Sequence, residues 1–138
     1  MFANNFKIIR QESTQLILIF ANIFKKTQKQ IDRNSSFVFS VKVNDPNGLN
    51  DIKDVYFELL RPDSSVVYAD VNNTKTKFPM FDNGDVNGSG DEVSGDGIFS
   101  LKNNFGPTSQ TGFWHFKFNS VDKSGLVSNT INFSLKVN

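Results

Sequence analysis

The sequence predicts an all-β protein, an antiparallel β-sandwich of about seven strands, on three observations. Apolar and polar residues alternate at period two through most of the chain after Ser36. Clusters of Gly, Pro, Asn, Asp and Ser separate these stretches, and no segment after residue 35 sustains the period of about 3.6 that marks an amphipathic helix.

The N-terminal segment is the hardest to read, because Asn, Gln and Lys surround the apolar run Leu16 to Phe24 without clear helix caps. A first strand is expected over Leu16 to Ile23, with Lys25 to Arg33 as a polar connector or short helix. The competing reading is a leader peptide. Lys7 and Arg10 precede the run, but Glu12 interrupts the basic stretch, and Phe24-Lys25-Lys26 stands where small residues would mark a cleavage site. A run of nine residues is too short for a membrane-spanning helix, which needs about 20. The chain therefore divides into 1–34, strand A and connector or a leader, and 35–138, an immunoglobulin-like β-sandwich.

The strands of that domain follow in order. Phe37, Phe39, Val41 and Val43 alternate with Val38, Ser40 and Lys42. Val55-Phe57-Leu59, the short stretches Val66 to Val71 and Phe78 to Phe81, then Ile98 to Leu101 and Trp114-Phe116-Phe118 come next. The last is Ile131, Phe133, Leu135 and Val137. Asp45-Pro46-Asn47-Gly48 suits a type I turn, with Pro presetting φ and Gly accepting the left-handed exit. Arg61 to Ser65 and Asp122 to Gly125 do the same between later strands. Phe39, Val41, Phe57, Trp114, Phe116, Phe133 and Leu135 share the apolar phase and should form one core.

Composition narrows the function. Fifteen Lys and Arg against fourteen Asp and Glu leave a formal charge of +1, no field to draw in nucleic acid. The absence of Cys excludes disulfides, thiolate metal sites and a thiol nucleophile. His115 is the single histidine, placed on the outward phase beside Phe113 and Lys117, and no G-x-S-x-G elbow accompanies it. Asp51, Asp54 and Glu58 read as solvated acids. The expectation is a protein without catalytic residues, not an enzyme.

One loop stands out. DNGDVNGSGDEVSGDG, residues 82–97, holds Asp82, Asp85, Asp91, Glu92 and Asp96, and no Lys or Arg occurs from Phe78 through Leu101. Carboxylates this close repel one another, and a hard cation removes the penalty. Counted from Asp85, oxygen-bearing side chains fall at Asp85, Asn87, Ser89, Asp91 and Asp96, with Gly90 where a sharp turn is needed. That spacing matches a helix-flanked calcium loop apart from Ser at the fifth position and Asp at the twelfth. Here strands flank it. The candidate calcium ligands are Asp82, Asp85, Asn87, Ser89, Asp91 and Asp96. The alternative is a solvated loop built from residues that turns ordinarily use.

The run FDNGDVNGSGDEVSGDGIFS (81–100) resembles the "DDG…SGD…AGDGIYS" segment of bacterial immunoglobulin-like domains of secreted and surface proteins. VNDPNGLNDIKDVYFEL (43–59) and GFWHFKFNSVDKSGLVSN (112–129) are similar to the same family's flanking strands. Residues 1–34 lie outside the resemblance. It implies a fibronectin-like accessory or stalk module, extracytoplasmic, whose partners are neighbouring domains of a larger exported protein, a surface protein or a glycan. A second reading is a carbohydrate-binding sandwich with structural calcium. Two or three solvent-facing aromatics in a row would favour it, with Phe113 and Tyr56 as candidates, whereas a polar face would favour the first.

Overall fold

The computed structural model describes residues 17–21, as backbone, and residues 30–138. Nine strands are seen there: β1 Ile17–Ala21, β2 Gln30–Ile31, β3 Ser35–Asn44, β4 Ile52–Leu60, β5 Val66–Val67, β6 Phe78–Pro79, β7 Ile98–Phe105, β8 Gly112–Asp122 and β9 Ile131–Val137. No α-helix occurs among the described residues, and a single 3-10 helical turn, Leu49–Asp51, leads into β4. Among the described residues no helix is long and apolar enough to cross a membrane.

The strands form two sheets. A smaller one has the order β1-β3-β7, and a larger one the order β2-β9-β8-β4-β5 with β6 also paired to β4. All pairings are antiparallel except that of β2 with β9. The all-β sandwich expected from the alternation is therefore the observed fold.

Period two places the core. Along β8 the burial alternates from an exposed Phe113 through Trp114, His115, Phe116 and Lys117 to a fully buried Phe118. All seven residues assigned to the core lie in one buried cluster. Phe39 of the small sheet sits at its centre, 4.2 Å ring to ring from Phe116 and 5.7 Å from Phe57 of the large sheet. Trp114 packs edge-on against Phe105, and its indole N–H donates to the Gln110 carbonyl at 3.0 Å, so its one polar atom is satisfied inside the core.

Three local expectations need correcting. Gln30 and Ile31 fall in the stretch read as a polar connector or helix, yet they form β2, and Ile31 is buried in the core. Pairing with Lys136 and Val137 of β9, remote in sequence, outweighs a polar local context. The stretch Val66 to Val71 keeps ladder pairing only at Val66–Val67. Asp70 then accepts hydrogen bonds from the Thr74 and Lys75 amides and turns the chain, leaving Val71 97% exposed. Phe78 to Phe81 is not one strand. Phe78–Pro79 pairs with β4, whereas Phe81 exchanges backbone hydrogen bonds with Ser100 of β7, so the chain changes sheets there. Backbone pairing of Ile17–Ala21 with β3 falls within the stretch read as strand A. The leader reading takes in residues 1–34, of which 1–16 and 22–29 lie outside the described residues.

Candidate metal centre

The 82–97 loop begins where the chain has just joined the small sheet and ends at β7. Asp82 closes it. Its Oδ1 accepts from the Gly95 amide at 2.8 Å and its Oδ2 from the Gly97 amide at 2.9 Å, joining the two ends of the loop through one carboxylate. Gly97 in turn offers its carbonyl to the Val43 amide at 2.9 Å, which anchors the loop to β3.

The middle of the loop folds back over the outer face of the small sheet. Gly90 has φ +85° and lies so close to Val38 that an added Cβ would sit 2.8 Å from its side chain. Left-handed backbone and close approach both demand glycine there. Lys102 donates to the Asn87 carbonyl at 3.2 Å, and beneath the loop the Ser40 and Ser100 hydroxyls pair at 2.9 Å. The loop thus meets the outer face of the small sheet at Val38 and Lys102, while Ser36 and Lys42 on the same face of β3 stay exposed.

Docking the loop buries Asp91, which is 1% exposed. The Gly84 amide donates to its Oδ2 at 2.7 Å, and one carboxylate oxygen from each of Asp82, Asp91 and Asp96 lies within 4.8 Å of the others. Burial, with the nearby charges of Asp82 and Asp96, pushes the Asp91 carboxyl above the ordinary carboxylate range. The remaining sequence-derived candidates occupy other roles. Asp85 Oδ1 accepts from the Gly88 amide at 3.0 Å, and the Ser89 hydroxyl donates to Asn83 Oδ1 at 2.8 Å and accepts from the Asp91 amide at 3.3 Å. Asn87 is exposed. Asn83, which the spacing passed over, organises the turn, because its Oδ1 also accepts from the Asp85 amide at 3.0 Å.

A second acidic group unites Asp45, Asp51 and Asp122, again with one oxygen from each within 4.8 Å of the others. In the sequence Asp45 and Asp122 read only as turn residues and Asp51 as a solvated acid. Their convergence depends on β4 lying beside β8, which pairs Ile52 with Asp122, and no local pattern carries it.

The outward face of the large sheet is mostly polar. Leu60, His115 and Ser134 lie side by side across β4, β8 and β9, as do Glu58, Lys117 and Asn132. Phe113 is 54% exposed opposite Lys136, and half-buried Tyr56 has the Lys77 ammonium 4.6 Å from its ring centre. These two aromatics stand at different positions and make no row. His115 is exposed, with its Nδ1 2.9 Å from the Ser134 hydroxyl, and among the described residues no carboxylate hydrogen-bonds to it.

No protein-family model and no curated protein matches the chain. Solved structures share its fold. A trypsin-activated alpha-2-macroglobulin from Escherichia coli aligns over 96% of this chain at 10% identity, TM-score 0.52. A mutant of the SrpA adhesin from Streptococcus sanguinis aligns over 93% at 14% identity, TM-score 0.54. This chain spans 7% of the first protein's length and 60% of the second's. At these identities the likeness is one of fold: a β-sandwich similar to parts of these two proteins.

Proposed function

We propose that the chain is a non-catalytic immunoglobulin-like module of an exported bacterial protein, rigidified by calcium in the 82–97 loop. The observation that carries the metal is buried Asp91, held beside Asp82 and Asp96 with its carboxyl pushed up by desolvation. A carboxylate in that position is stabilised by a hard divalent cation, and a Gly-rich backbone suits the variable coordination of calcium better than the strict octahedron of magnesium. Of the six candidate positions, Asp82, Asp91 and Asp96 are the ligands in this reading, while Asp85, Asn87 and Ser89 shape the loop. An extracytoplasmic location and neighbouring domains as partners rest on the resemblance of 81–100 to bacterial immunoglobulin-like domains and on the adhesin's likeness in fold. The polar outer face of the large sheet supports a structural module over a glycan-binding one.

Melting in calcium, in magnesium and in excess chelator tests this. With about 10 mM calcium and a dissociation constant near 10⁻⁴ M, binding to the folded state alone adds about 2.7 kcal/mol, several degrees in Tm. Magnesium should give much less. Asp91→Asn and Asp96→Asn should each weaken the calcium response and Asp63→Asn, in a distant turn, should preserve it. Identical melting in calcium and chelator removes the metal from the proposal.

A further inference from the structure

The second acidic group lies between turns of both sheets. Asp45 follows β3 of the small sheet, whereas Asp51 precedes β4 and Asp122 ends β8, both in the large sheet. The Lys123 amide donates to the Asp51 carbonyl at 2.7 Å, which ties the last two together through the backbone.

Each turn occupies one oxygen of its carboxylate. Asp122 Oδ1 accepts from the Ser124 amide at 2.9 Å, the Ser124 hydroxyl at 2.6 Å and the Leu126 amide at 2.9 Å. Asp45 Oδ1 accepts from the Asn47 amide at 2.8 Å. The other oxygens are left over. Asp122 is 1% exposed, and its Oδ2, like Asp45 Oδ2, is buried with no hydrogen-bond partner among the described residues. Hydrogen bonds from Ser124 and the turn amides outweigh burial and favour the charged Asp122 carboxylate, while its Oδ2 is left without a donor of its own. Asp51 is half-buried and adds a third carboxylate, whose Oδ2 accepts from the Asn47 side-chain amide at 3.4 Å.

We propose that Asp45, Asp51 and Asp122 hold a second divalent cation, calcium by preference, which clamps the two sheets together at this end of the sandwich. Oxygens within 4.8 Å of one another are separations that ligands of a single calcium can span, at about 2.3–2.6 Å from the ion each. Three carboxylates also leave room for water or carbonyl oxygen in a shell of about six to eight ligands. The site is separate from the 82–97 loop and does not require that loop to bind metal.

The test is calcium titration of the 138-residue chain followed by amide NMR, in the parent and in Asp91→Asn, Asp45→Asn and Asp122→Asn. Asparagine keeps an oxygen for the turn amides while removing the charge, and spectra in chelator establish that each variant is folded. In the parent and in Asp91→Asn, the amides of Asn47, Ser124 and Leu126 should shift together and saturate. Asp45→Asn and Asp122→Asn should each weaken that response by roughly tenfold or more, because calcium affinity follows ligand charge. Amides that stay in place at about 10 mM calcium, or Asn variants that titrate like the parent, would overturn the second site.

Discussion

Asp63 and Asp91 are both aspartates in turns, and their surroundings shift them in opposite directions. Hydrogen bonds from Ser65 and Gln110 stabilise the charged form of Asp63 and lower its carboxyl to about 2. Its contribution is present above the ordinary value of 3.8 and is lost as pH falls through about 2. Asp91 has the reverse sign. Its folded-state carboxyl is raised by burial, so without metal its contribution weakens as pH rises through that raised value. Carboxyl NMR should find Asp63 titrating near 2, and Ser65→Ala together with Gln110→Ala should return it toward 3.8. The Ser65 backbone amide still donates to Oδ1 in the double variant, so an unchanged titration would show that the side-chain hydrogen bonds are not the cause.

At the scale of elements, the 82–97 loop behaves as a docked layer rather than a free connector. Its glycines are not equivalent. Gly90 and Gly95 both have positive φ, but only Gly90 faces a neighbour, since an added Cβ at Gly95 meets nothing within 4 Å. Left-handed backbone alone costs a non-glycine residue about 1–3 kcal/mol. Gly95→Ala should show that cost, and Gly90→Ala should exceed it by the clash with Val38. Equal melting of the two variants would mean that the loop does not press on β3. The polar residues of this loop were legible in the sequence, as was the need for glycine at position 90. Its lid-like seat on the small sheet was not, because Val38 reads as the outward phase of its strand.

For the whole molecule, stability should follow the alternation along β8. Phe116→Ala or Trp114→Ala removes a ring from a close-packed centre and should cost about 3–5 kcal/mol. His115→Ala, between them in sequence but exposed, should stay within about 0.5 kcal/mol of the parent. Chemical denaturation of the three variants checks the register directly, and a costly His115→Ala with a harmless Phe116→Ala would invert it.

By itself the sequence determined the sandwich class, the inward phase of the main strands and the turns at Asp45, Arg61 and Asp122. The reason is that strand periodicity and turn chemistry are written in neighbouring residues. Tertiary structure alone decided that Gln30–Ile31 joins β9, that Phe81 leaves β4 for β7, and that Asp82, Asp91 and Asp96 converge while Asp85 caps a turn. It also brought Asp122 to Asp45 and Asp51. Each of these is a meeting of segments whose separation in space is set by sheet pairing, and pairing between distant strands has no local signature.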